Sequence, residues 1–290
     1  MSVDANLVRR VGFAVIAIPL ALLLIWYGGL PLALLLGVAS ALGARELFDL
    51  AARGNVQPVR SLGLVSAAAL PLLVYAALVE PDAQTWLAAW WTYLAALWFM
   101  VLLGWVLAVR SPADRPLAAA SVTLLTVAYT GGLPAFLLAI RHSHHALQSW
   151  PGAWLVFFPL VVTWVCDTAA MFGGRAFGGP KLAPAVSPGK TRSGSTAGVV
   201  GGLLVAPLFA ALIFTRAGLE IPLWQLLIIA GVLSVVGQVG DLAESLFKRE
   251  AGVKDSSHLI PGHGGVLDRL DSLYFVIPTA AALYRGFGVI

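Results

Sequence analysis

The chain has 290 residues, of which 59% are hydrophobic and only 11% charged, and its mean hydropathy is +0.88. An ordinary soluble domain carries roughly 25% charged residues, so this composition excludes disorder, a nucleic-acid-binding domain and a water-soluble globule. The net charge of +4 reflects the loops of a membrane protein before it reflects an anionic partner, and the single cysteine, Cys166, excludes an internal disulfide or a cysteine-based zinc site.

A helix needs about 20 apolar residues to cross a hydrocarbon core of about 30 Å. Nine stretches meet or approach that length, at 11–27, 30–46, 62–79, 86–108, 117–140, 152–172, 195–214, 222–240 and 272–289. Arg9 and Arg10 before the first run resemble the start of a signal peptide. Trp26 and Tyr27 stand where a small-residue cleavage site would be needed, so the run reads as a span. The second stretch is short and hangs on a tight turn at Gly28, Gly29 and Pro31. It reads either as a full span or as a tilted or re-entrant half of a hairpin, which leaves eight spans as the alternative. The expected fold is an all-α polytopic membrane protein of about nine transmembrane helices, with cytoplasmic polar loops forming the active site. Residues 1–150 would hold about five spans, and 151–290 the region that carries the polar chemistry.

Orientation follows from the basic residues. With the N-terminus in the cytoplasm, fifteen of the 18 Lys and Arg residues fall on the inner side, leaving Arg141, Arg216 and Arg285 outside.

The first half offers little chemistry. Glu46 and Asp49, with Arg45 and Arg53, read as an interfacial salt-bridge collar at the end of the second span. Trp86, Trp90, Trp91, Trp98 and Trp105 read as interface belts and lipid packing. His142, His144 and His145 have no acidic neighbour and read as solvated loop residues.

The second half differs. Asp167 interrupts an apolar run, and an intramembrane acid is costly enough to mark a functional site or a paired charge. Its neighbour Cys166 reads as a small core residue, since no base is near it in sequence. A glycine-rich, lysine-bearing loop follows, ending Ser187-Pro188-Gly189-Lys190-Thr191-Arg192-Ser193-Gly194. It lacks the first glycine and the preceding strand of a Walker motif, but remains a candidate for holding a nucleoside triphosphate or a lipid phosphate.

Ten charged residues then fall between Asp241 and Asp271. Asp241, Glu244, Ser245 and Lys248 stand at i, i+3, i+4 and i+7 and so line one helix face, with Gly237 and Gly240 leaving room for close approach. Asp268 and Asp271 form a second carboxylate pair, three apart. Such oxygens suit a hard cation. The turn Pro261-Gly262-His263-Gly264-Gly265 could face amides toward an anion, and Lys248, Arg249, Lys254 and Arg269 supply charge for phosphates. The combination suits phosphoryl or nucleotidyl transfer. A charged amphipathic loop at headgroup level is the alternative, and it explains the charge but not the spacing.

The run Ser245-Leu246-Phe247-Lys248-Arg249, then Lys254-Asp255, then Pro261 to Asp271 resembles the signature of bacterial phosphatidate cytidylyltransferases, also called CDP-diacylglycerol synthases. Gly240 to Ser245 fits as well, as does the loop Asp167 to Gly194. The likeness is strong over about 160–290 and only general upstream. One departure stands out: many members carry Trp-Glu-Gly after Lys-Thr, and this chain has Arg192-Ser193-Gly194, so Ser193 is assigned no role.

The resemblance implies transfer of CMP from CTP to phosphatidic acid, giving CDP-diacylglycerol and pyrophosphate in phospholipid biosynthesis. It further implies Mg²⁺ dependence and a place in the bacterial inner membrane, with the active site cytoplasmic; the sequence leaves open whether a second, monovalent cation joins and whether the chain forms a homodimer. Asp241 and Asp268 are then the first metal ligands expected, with Asp271 and Glu244 as further ligands or their partners. Lys248, Arg249, Arg269, Lys190, Ser187 and Thr191 would bind phosphates. Asp167, Ser245, Lys254, His263, Gly264 and Gly265 complete the expected substrate-binding set.

Two other classes fit less well. A transporter would place several ionisable groups across the bilayer, where this chain has Asp167 as its one clear case. The spaced Asp-Gly pattern of CDP-alcohol phosphotransferases is missing, as is an ATP-binding signature of a lipid kinase.

Overall fold

The computed structural model describes residues 5–143, 146–260, 262 and 264–290. In lipid every backbone N–H and C=O must be satisfied internally, so long apolar runs become helices. These are α1 (Ala5–Tyr27), α2 (Gly29–Arg53), α3 (Arg60–Val79), α4 (Pro81–Val109), α5 (Pro116–Thr126), α6 (Leu133–His142), α7 (Trp150–Phe177), α8 (Arg192–Phe209), α9 (Leu223–Glu250), α10 (Leu267–Leu270) and α11 (Leu273–Gly286). Prolines begin several of them, Pro81 in α4 and Pro116 in α5 among these, where the missing N–H costs nothing.

Among the described residues, seven helical stretches are long and apolar enough to cross a membrane: Gly29–Arg53, Arg60–Val79, Pro81–Val109, Pro116–His142, Trp150–Phe177, Arg192–Phe214 and Leu223–Glu250. Pro116–His142 joins α5 and α6 through a π-helical turn at Val127–Gly132, and a second such turn, Ala210–Phe214, extends α8. The other two expected spans are shorter, an apolar Val15–Tyr27 and the 14-residue α11. The chain is an all-α polytopic membrane protein. The second span is longer than its apolar run suggests: α2 runs unbroken for 25 residues, the helix continuing past the apolar run through Arg45, Glu46 and Asp49.

The chain divides into two compact units. One gathers 5–24, Gly29–Ala139 and Glu250–Arg269; the other gathers Ile25–Gly28, Ile140–Arg249 and Leu270–Ile290.

In the first unit α2 packs along α3, and the π-helical turn rests on α3 so closely that a Cβ at Gly131 would lie 2.7 Å from the Ala67 carbonyl oxygen. Leu102 and Val106 of α4 bury against Val59 and Ala120. Trp98 packs beside them and its Nε1 donates to Ser66 Oγ at 2.7 Å, while most of α4 is exposed, Trp91, Tyr93, Met100 and Leu107 among these, as a lipid-facing helix requires. Asp49 pairs with Arg60 Nη1 at 2.6 Å, but the collar expected there does not include Glu46, which is buried.

In the second unit α7 and α8 form a long, close pair. A side chain at Gly194 or Gly198 would strike backbone carbonyls of α7, at 2.7 Å from Ala170 and 3.0 Å from Cys166. Small residues at this spacing let membrane helices gain dispersion contact without a hydrophobic driving force between them. Phe158, Phe209 and Phe214 pack edge-to-face or tilted at centroid distances of 5.3 to 5.5 Å, and Tyr284 of α11 donates to the Leu155 carbonyl at 3.0 Å. Arg141, fully buried, donates to the Ile25 and Trp26 carbonyls at 2.7 and 2.6 Å.

Candidate active site

The glycine-rich loop after α7 is not irregular. It folds into an antiparallel hairpin of β1 (Lys181–Ala183) and β2 (Ser187–Thr191), which leads directly into α8. Gly178 ends α7 with a positive φ of 58°. Thr191 caps α8, its hydroxyl accepting from the Gly194 amide at 3.1 Å, and Ser193 Oγ donates to the Gly178 carbonyl. The hairpin is therefore tied at both ends, and Lys190 sits on its rigid return strand.

That placement carries Lys190 Nζ to 2.5 Å from Asp241 Oδ2 on α9. Asp241, Glu244, Ser245 and Lys248 share one helix face, as their spacing predicts. Ser245 Oγ donates to Asp241 Oδ1 at 3.3 Å, and Lys248 Nζ lies 3.0 Å from Glu244 Oε1. Glu244 is fully buried and Lys248 nearly so. Breaking a buried ion pair by removing one partner typically costs about 3–5 kcal/mol.

Asp271 joins this group because α9 approaches the chain just before α11. A Cβ on Gly240 would lie 2.8 Å from the Asp271 carbonyl oxygen. Its carboxylate accepts from the Ser272 amide at 2.6 Å. Burial pushes the Asp271 carboxyl up to about 7, and the Asp241 charge adds to the rise, while the Ser272 amide and Lys248 oppose it. Asp167, on α7, is exposed and lies within electrostatic range of Asp241, Lys190 and Asp271. Three carboxylates and two lysines thus act on one another in the second unit.

Ser187 opens β2 half-buried, and Arg249 is exposed, with its Nε donating to the Val186 carbonyl at 3.1 Å. Thr191, expected to bind phosphate, is buried, and its hydroxyl serves as the α8 cap.

The remaining expected residues belong to the first unit. Asp268 Oδ2 accepts from Ser256 N at 2.9 Å, Ser256 Oγ at 2.8 Å and Gly265 N at 2.8 Å, so this oxygen fastens the loop before α10. A backbone bridge from Ile260 N to the Gly264 carbonyl, 2.8 Å, closes the turn. Around it lies a cavity of about 440 Å³ whose lining includes Lys254, Asp255, His258, Gly264 and Arg269. His263, like His144, His145 and Pro261, lies outside the described residues.

Glu46 was missed as a member of this group. Its carboxylate accepts from Ser257 Oγ at 2.7 Å, Leu267 N at 2.8 Å, Val266 N at 3.0 Å and Ser256 Oγ at 3.0 Å. All four donors lie more than 200 positions away, and the arginines beside Glu46 in sequence favour the collar reading. An acid ending an apolar run was the only local signal.

Among the described residues, no three of His, Cys, Asp and Glu converge as a ready metal cage. Magnesium does not require one, since it binds through one or two carboxylates, water and substrate phosphates. Asp241 and Asp271, with mutually repelling charge and only one lysine on Asp241 Oδ2, have the donor chemistry for such an ion. Glu244 is engaged with Lys248, and Asp268 Oδ2 with the loop.

A model of the cytidylyltransferase family matches residues 8–287. The phosphatidate cytidylyltransferase of Brucella suis biovar 1 is 52% identical over 139 residues, 47% of this chain and 47% of that protein. That of Haemophilus influenzae is 44% identical over 154 residues, 51% of each. Against these two the aligned region spans about half of the relative's length. The phosphatidate cytidylyltransferase of Staphylococcus saprophyticus is 34% identical over 266 residues, 91% of this chain and 94% of that protein.

Proposed function

The chain belongs to the cytidylyltransferase family, and from that membership we propose that it is a phosphatidate cytidylyltransferase, making CDP-diacylglycerol and pyrophosphate from CTP and phosphatidate. The observation that carries the reading is the Lys190–Asp241 ion pair set among Asp167, Asp271 and Lys248. Alternating acid and base on rigid elements suits a reaction whose charge lies on phosphates.

An oxygen of the phosphatidate phosphate attacks the α-phosphorus of CTP. The new P–O bond forms as the bond to the β-phosphate bridge breaks, and pyrophosphate leaves with that electron pair. The attacking oxygen is already ionised near neutral pH, so no protein base has to remove a proton. Catalysis is then mostly positioning and charge neutralisation. Within the second unit, Lys190 and Lys248 offset phosphate charge, Ser245 orients the Asp241 carboxylate, and Arg249 and Ser187 are further polar contacts. Within the first unit, Lys254 and Arg269 line a cavity and supply positive charge for a phosphate group. Asp241 and Asp271 would hold Mg²⁺, which supplies Lewis-acid charge to the phosphate oxygens when bound. The bacterial relatives and the excess of basic residues on one set of loops favour the inner membrane, with the site on the cytoplasmic face.

The test uses purified protein in detergent with labelled CTP, phosphatidate and Mg²⁺. Label entering an organic-extractable product only when both lipid and metal are present supports the reading. No lipid-linked label from folded protein, with several lipid phosphates tried, overturns it.

A further inference from the structure

Glu46 is 3% exposed, and among the described residues no Lys or Arg lies within ion-pair distance of it. A buried carboxylate without a counter-ion is costly unless hydrogen bonds satisfy it. Here two hydroxyls and two amides do so, and all four belong to one segment, Ser256 to Leu267. We propose that Glu46 is a positioning residue for nucleotide binding: from α2 it fixes the segment that carries Gly264 and Arg269 to the cavity.

The geometry links Glu46 to that cavity by short steps. Its two oxygens hold the Val266 and Leu267 amides, and Leu267 opens α10, which bears Arg269. Ser256 Oγ lies 2.8 Å from Asp268 Oδ2 and 3.0 Å from Glu46 Oε2, so its single hydroxyl proton is shared between two buried carboxylates that hold the segment. Packing is tight enough that a Cβ on Gly265 would collide with Ser256 Oγ and Glu46. Only a carboxylate supplies two acceptor oxygens to four donors. A glutamine would turn its NH₂ toward two of them and leave a buried amide unsatisfied.

The proposal rests on the nucleotide reading above, and the experiment separates the two. Wild-type transfer of label from CTP to phosphatidate reports on that reading alone. Steady-state kinetics of Glu46→Gln report on the positioning role. The expected result is a rise in KM for CTP on the order of tenfold with KM for phosphatidate close to wild type, beside the modest drop in thermal midpoint that an unsatisfied buried amide brings. Ser257→Ala, which removes one donor from Glu46 at a half-buried position, should raise KM for CTP severalfold. In the double variant its effect should be less than additive. If Glu46→Gln does not fold, Ser257→Ala decides the matter. Unchanged KM for CTP in the folded variants, or equal shifts for both substrates together with the thermal midpoint, overturns the proposal. Should the wild type transfer no label, hydrogen exchange still decides whether Glu46 fixes the segment. Exchange at 256–267 is expected to quicken in Glu46→Gln while the other helices keep their protection, and unaltered exchange there overturns the positioning role.

Discussion

Lys190 and Asp241 are 51 positions apart and come from different kinds of element, a β-strand and a membrane helix, yet their charged atoms lie 2.5 Å apart. Both side chains are about a quarter to a third exposed, so the pair adds only about 1 kcal/mol or less to stability. Its value is to pre-set a carboxylate and an ammonium where phosphate charge must be met.

Asp241→Asn should therefore lower transfer by about a hundredfold or more while leaving the thermal midpoint nearly unchanged. Lys190→Met should lose at least tenfold. Because the two residues act as a unit, the double variant should lose much less than the product of the two. Rates of labelled-lipid formation for the three variants check this, and strictly multiplicative losses would show that the pair does not act together.

Gly240 lets α9 approach the Asp271 backbone. A valine there has no space, since even its Cβ would lie 2.8 Å from a carbonyl oxygen. Gly240→Val should cost about 1–3 kcal/mol of stability and lower turnover by more than that loss explains, because it separates Asp241 from Asp271. Thermal unfolding and transfer rate are measured on the same preparation. A variant with normal turnover would remove Asp271 from the catalytic group.

Asp268 separates two roles that the sequence leaves merged. Its Oδ2 accepts three hydrogen bonds from Ser256 and Gly265, so Asp268→Asn should loosen the segment before α10 and lower transfer by tenfold or more. Hydrogen exchange at 256–266 should quicken in parallel. A loss of transfer with exchange unaltered would return Asp268 to a direct role at the substrates.

The helices were legible because hydropathy and length decide them, and the face Asp241-Glu244-Ser245-Lys248 because helical spacing does. The hairpin was not: its strands hold only three and five residues, and their glycines and prolines read as loop. Asp49 was correctly placed in a surface ion pair, but with Arg60 rather than with its nearer neighbours. Glu46 was misjudged for a physical reason: its partners lie 210 to 221 residues away, and no local pattern encodes a carboxylate satisfied by a distant backbone. Thr191 and Ser193 likewise resolved into capping and loop-tying roles that only the hairpin geometry reveals.

Metal dependence gives the sharpest division among the four expected ligands. Chelation should abolish transfer, and added Mg²⁺ should restore it. In Asp271→Asn the Mg²⁺ concentration for half-maximal rate should rise by about tenfold, because a carboxylate already crowded by Asp241 is relieved of charge but loses an oxygen donor. Asp268→Asn should leave that concentration where it is and lower only the rate, since its Oδ2 is committed to Ser256 and Gly265. Glu244→Gln should act through folding, because it removes the buried charge that lies 3.0 Å from the Lys248 ammonium. Magnesium titrations of the variants, read beside their thermal midpoints, distinguish the three. An equal shift in Asp268→Asn and Asp271→Asn would place both carboxylates on the metal.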